Sequence, residues 1–92
     1  MDKLVVVFDV KGMFPKQYEQ VMRDLQQSGE AAPDGRLNHF ASKQDGGMVV
    51  VDIWKSQAQL ERFAGVLIPI LVKNSVPPPA PQIHPLINQV EG

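Results

Sequence analysis

Apolar and polar positions in this chain fall into two similar strand–helix units. From Lys3 to Val10 nearly every residue is apolar, with Leu4, Val6 and Phe8 pointing one way and Val5 and Val7 the other. Apolar character on both faces marks a strand covered on both sides. Asp9 is the one acidic residue inside it. Gly12 breaks the strand, and Pro15 suits a first helical turn, where its missing N–H costs nothing. Tyr18, Val21, Met22 and Leu25 then follow i, i+3, i+4, i+7 spacing, which predicts an amphipathic helix. Gln17, Glu19, Gln20, Arg23, Asp24 and Gln27 fall on its wet side, and Gly29 closes it.

The second unit is preceded by a loop, Glu30–Gly35, with a turn at Pro33-Asp34-Gly35. Arg36–Lys43 alternates, placing Leu37, His39 and Ala41 on one side and Asn38, Phe40 and Ser42 on the other. Gln44-Asp45-Gly46-Gly47 reads as a hairpin turn. Met48–Trp54 is the third strand, with Val49, Val51 and Ile53 opposed to Met48, Val50, Asp52 and Trp54. Ser56 and Gln59 form a capping-box signature for a second helix. Its apolar stripe is Leu60, Phe63, Ala64, Leu67, Ile68 and Leu71. Pro69 predicts a kink or a stop near Leu67, with a short further helix starting at the proline. Val76–Pro81 is a stiff, proline-rich connector. Gln82–Val90 is the last strand, and Pro85 argues for an edge position or an interruption there.

The resulting order, strand-helix-strand-strand-helix-strand, is the split β-α-β arrangement of ferredoxin-like α+β folds. It predicts one domain over residues 1–92, a four-stranded antiparallel sheet in the order 4-1-3-2, and both helices on one face. The other sheet face would be open, yet it carries apolar residues. An uncovered apolar sheet face marks an interface. The expected solution is a twofold homodimer packed sheet to sheet, closing an α/β barrel.

Composition narrows the partners. Ninety-two residues bury only about two thirds of the unfolded surface. With no cysteine there are no disulfides to add stability, so self-association is the natural supplement. The net charge is −1 and the lysines and arginines form no run, which argues against nucleic acid. No apolar run approaches the roughly 18 residues of a membrane span. Asp2 stands where a signal peptide would carry positive charge. A cytoplasmic protein without a membrane partner is expected.

The run Val51-Asp52-Ile53-Trp54-Lys55-Ser56, followed by Phe63, Pro69, Pro81 and His84-Pro85-Leu86-Ile87-Asn88, resembles dimeric α/β-barrel proteins of the antibiotic-biosynthesis-monooxygenase-like group. The resemblance spans nearly the whole chain in length and element order. It implies a homodimer with a small-molecule cavity between helices and sheet in each subunit. Among the group are cofactor-free monooxygenases, haem-degrading enzymes and quinol oxygenases, and many members have no established activity. Phe63 stands where several active members carry a histidine, and Ile70 and Leu71 where a second histidine often follows. The haem-degrading pattern of an Asn on the first strand with Trp and His on the second helix is not present. No cofactor and no metal is expected.

Two functions stay open. In the first, the chain binds a small apolar or aromatic molecule and acts as a cofactor-independent monooxygenase-like, isomerase-like or cyclase-like enzyme. His39, half-buried on a strand, would be its base. Trp54, Tyr18 and Phe63 would wall the cavity, Asn38 would be a polar anchor, and His84 a further contact. Asp9 and Asp52, on neighbouring central strands, would be a carboxylate pair if they shared a face. In the second, the chain is a non-catalytic dimeric accessory or ligand-binding module. An enclosed pocket below about 100 Å³ would favour that second reading, since ligand sites run to several hundred. A regulatory domain detached from a larger protein is a weaker third reading, given the initial Met and the lack of a linker.

Overall fold

Val-rich β-branched segments dominate the two central strands, β1 (Leu4–Lys11) and β3 (Gly47–Trp54). The computed structural model describes residues 3–92, so the expectation drawn from Asp2 lies outside it. The elements follow in the order β1, α1 (Pro15–Gln27), β2 (Arg36–Gln44), β3, α2 (Gln57–Lys73) and β4 (Gln82–Pro85). The four strands form one antiparallel sheet in the order β2-β3-β1-β4. This is the ferredoxin-like arrangement and the strand order expected from the sequence.

Residues paired directly across antiparallel strands share a face. Val6 pairs with Asp52, Phe8 with Val50 and Val10 with Met48, which assigns all six to one face. Both helices pack there. Val21 and Leu25 of α1 and Leu60, Phe63 and Leu71 of α2 join Val6, Val10, Val50 and Trp54 in one core. The opposite face carries Val5, Val7, Val49, Val51 and Ile53.

Each helix has local signals at its ends. Gln17 Oε1 accepts from the Phe14 N–H at 3.0 Å, and Gly29, at φ 81°, turns the chain out of α1. Ser56 Oγ accepts from the Gln59 N–H at 3.3 Å, as the capping signature requires. Asp24 departs from its expected wet position. It is buried, and accepts from Gln20 and from Asn74 Nδ2, each at 2.9 Å, with Lys73 Nζ 3.5 Å away. It thereby joins the middle of α1 to the end of α2.

Of the two outcomes expected at Pro69, the stop and the separate short helix are absent, and the last strand is shorter than expected. Helix α2 runs through Pro69 to Lys73. The proline removes the bond to the carbonyl of Gly65, but both residues are exposed, so the chain there is open to solvent. The last strand ends at Pro85 instead of Val90. Proline supplies no ladder donor, and among the described residues one further backbone bond follows, Leu86 N–H to the Lys3 carbonyl at 2.8 Å. The tail then leaves the β4 edge and reaches the far edge, where Gln89 Nε2 donates to Asn38 Oδ1 at 2.8 Å. Asn38 is the cross-strand partner of Ile53, which lies on the open face yet is only 6% exposed.

Candidate functional site

The register of β2 against β3 creates the site. His39 stands directly opposite Asp52, on the helix-bearing face. Its Nδ1 lies 2.6 Å from Asp52 Oδ1, and its Nε2 lies 2.6 Å from the Tyr18 hydroxyl on the first turns of α1. The Tyr18 and His39 rings are parallel within 3°. Three elements therefore contribute one hydrogen-bonded chain, Tyr18–His39–Asp52.

The proton positions follow from the partners. A carboxylate only accepts, so Nδ1 carries the proton it donates to Asp52. Nε2 of a neutral imidazole is then an acceptor, and the Tyr18 hydroxyl donates to it. Burial pushes the Tyr18 phenol above its ordinary value of 10, which keeps it protonated as that donor. The Arg36 guanidinium acts in the opposite direction on the phenol, and the Asp52 charge reinforces burial. Asp52 itself is buried, with its side chain 5% exposed.

This chain lines a cleft of about 50 Å³, whose remaining walls are Arg36 and apolar side chains including Phe8, Met22 and Phe63. A second, roomier groove of about 260 Å³ runs between α2 and the connector residues Pro78, Pro79 and Pro81. Phe8, Phe63, Leu67, Leu71 and Pro79 line both spaces and form the partition between them. Gln57 and Glu61 are the polar residues of the groove.

The sequence candidates separate accordingly. Tyr18, His39 and Phe63 come together at the cleft. Trp54 does not line it. The indole is fully buried behind Phe63, ring centroids 5.6 Å apart, and its N–H has no partner among the described residues. Asn38 and His84 fall on the open face, because they pair with Ile53 and Val5 respectively. Asn38 is engaged by Gln89, and His84 is exposed on the opposite edge strand from His39. Asp9 pairs with Val49 on the open face, so it forms no carboxylate pair with Asp52. The partner of Asp52 is His39 instead.

One residue of the cleft, Arg36, is readable in the sequence only as a possible partner of Asp52, a place that His39 takes. Simple alternation groups Arg36 with Asn38, away from His39. A β-bulge between Arg36 and Asn38 makes Leu37 the extra residue, so Arg36 pairs with Trp54 and returns to the helix-bearing face. Bulges re-aim side chains in this way. Arg36 lies over the Phe63 ring at 5.8 Å and donates from Nη2 to the Ala31 carbonyl at 2.9 Å.

No protein-family model and no curated protein matches the sequence. Solved structures do match the fold. SnoaB, a cofactor-independent oxygenase from Streptomyces nogalater, superposes with a TM-score of 0.67 over 100% of both chains at 16% identity. A candidate antibiotic biosynthesis monooxygenase from Chloroflexus aurantiacus gives 0.65 over 97% of both chains at 9% identity. A protein of unknown function from Nitrosomonas europaea gives 0.58 at 19% identity, over 98% of this chain and 92% of that one. The chain thus has the fold of antibiotic-biosynthesis-monooxygenase-like proteins, a fold that also serves proteins without an assigned activity.

Proposed function

We propose that the chain is a dimeric α/β-barrel protein that binds a small apolar or aromatic molecule on its helix-bearing face and moves a proton on it. The observation that carries this reading is the Tyr18–His39–Asp52 chain, which lines a cleft whose other walls are Arg36 and apolar side chains. In the step proposed, the Tyr18 hydroxyl passes its proton to His39 Nε2 and takes the ligand's proton in exchange. The ligand keeps the electron pair as an anion, His39 becomes an imidazolium, and Asp52 stabilises that charge through Nδ1–H. Formation of such an anion opens a cofactor-independent oxygenation, isomerisation or cyclisation. Oxygenation is the class that the fold likeness to SnoaB supports.

The ligand's body would lie in the groove under the proline connector, with its acidic group reaching past Phe63. The open face, with half-exposed Val5, Val7, Val49 and Val51 and with Phe40 58% exposed, would be the dimer interface. Ile87 and Val90 of the tail add exposed apolar surface that a second subunit would cover.

A native mass spectrum of protein from its own host, followed by turnover of the bound compound, tests this reading. The expected result is a dimer carrying a small-molecule adduct that wild type consumes and His39→Asn does not. Turnover by His39→Asn at the wild-type rate would overturn it. One observation favours the non-catalytic module: the space beside the chain, about 50 Å³, is below that of a typical ligand site. A folded wild type that binds its host compound and never alters it would decide for the module.

A further inference from the structure

Arg36 is the one cationic residue of the cleft, and its charge has no counter-ion there. Among the described residues it forms no ion pair. Its polar partner is the Ala31 carbonyl, and its plane lies near the Phe63 ring. Asp52, the one carboxylate lining the cleft, is committed to His39. A guanidinium is always charged, and its fork of N–H donors matches an anionic oxygen. The bulge at Leu37 turns this residue from the open face to the face of the cleft that Tyr18 also lines, at the cost of an unpaired ladder position.

We propose that Arg36 sets the specificity of the site: it recognises an ionised oxygen, an enolate or phenolate on an aromatic-sized molecule, and holds that oxygen beside the Tyr18 hydroxyl. This rests on the reading of the cleft as a ligand site, and it narrows the ligand to compounds with an acidic hydroxyl. Arg36 is then where the electron pair left by proton transfer is stabilised, while Tyr18 and His39 handle the proton. In a cleft with apolar walls such a contact is stronger than in water.

A matched pair of probes tests the proposal. 2-Hydroxy-1,4-naphthoquinone is ionised at neutral pH, and 2-methoxy-1,4-naphthoquinone has the same ring without the acidic proton. The chain has no cysteine, so no thiol adds to either ring. Binding of each is read by absorbance for wild type, Arg36→Gln and Arg36→Lys, with thermal unfolding as the check on folding. Wild type should favour the hydroxy compound by roughly tenfold or more, as charged hydrogen bonds do. Arg36→Gln should lose that preference while keeping its affinity for the methoxy compound, and Arg36→Lys, which keeps the charge, should retain part of it. Equal wild-type affinity for both probes, or a preference that survives in Arg36→Gln, would overturn the role of Arg36 and leave the cleft standing. If neither probe bound wild type, the cleft as an aromatic ligand site would fall, and this inference with it.

Discussion

His39 binds on both sides, donating to a buried carboxylate and accepting from a partly buried phenol. Removing it has two separable consequences. His39→Ala leaves Asp52 buried without its donor, which should cost about 1–3 kcal/mol in chemical denaturation. His39→Asn supplies an amide N–H close to the Nδ1 position, so it should unfold near the wild-type midpoint while losing the acid–base function. Tyr18 gives a direct spectroscopic handle, because it is the only tyrosine in the chain. Its phenolate absorbance should rise with a midpoint above pH 10, since burial favours the neutral form. The sign for stability follows: above pH 10 the unfolded chain loses this proton before the folded one, so Tyr18 makes stability fall as pH rises. A phenol titrating below 10 would contradict its place in the chain. At this scale the sequence was partly legible. His39, Tyr18 and Phe63 stood out by residue type and periodicity. Arg36 did not, because a single bulge reverses the face that alternation assigns. Alternation had already set Asn38 on the side away from His39, whereas the face of His84 depends on its register against β1, which a residue list does not give.

Element ends show a second kind of legibility. The caps at Ser56 and Gly29 were readable because they depend on a few neighbouring residues. Pro69 left a kink and a stop open, and only the stop is excluded, since its cost depends on whether the freed carbonyl is open to solvent, and that is a tertiary fact. Asp24 misled in the opposite direction, falling on the polar side of α1 yet ending buried against the end of α2. Hydrogen bonds from Asn74 and Gln20, with the Lys73 charge nearby, hold its carboxyl below the ordinary 3.8. Such a group adds stability that is full above its unfolded value and lost as pH falls below about 3.8 toward the folded value. Asp24→Asn should therefore lower stability at neutral pH and flatten the pH dependence in this acid range. Thermal melts of both proteins from pH 2 to 7 would check this, and parallel curves would contradict it.

The whole molecule shows why the open face matters. Helices cover one side of the sheet, and the tail crosses the other only at the end where Gln89 meets Asn38. The valines of β1 and β3 that remain were readable from their alternation, and so was the strand order. The tail's path was not, because no periodic signal marks a chain that crosses a sheet. The interface proposed here predicts, by light scattering, about twice the chain mass of 10.2 kDa at micromolar concentration. Substituting Asp for Val51 on that face should shift the mass toward one chain without unfolding it.

Nitrogen-15 NMR of the two histidines tests the central claim most directly, because they lie on opposite sheet faces and opposite edges. His39 should show the Nδ1–H tautomer with a strongly shifted, slowly exchanging Nδ1 proton. Addition of 2-hydroxy-1,4-naphthoquinone should perturb His39 and leave His84 unchanged. A freely exchanging His39 ring, or a probe that moves His84 and not His39, would contradict the assignment of this cleft as the functional site.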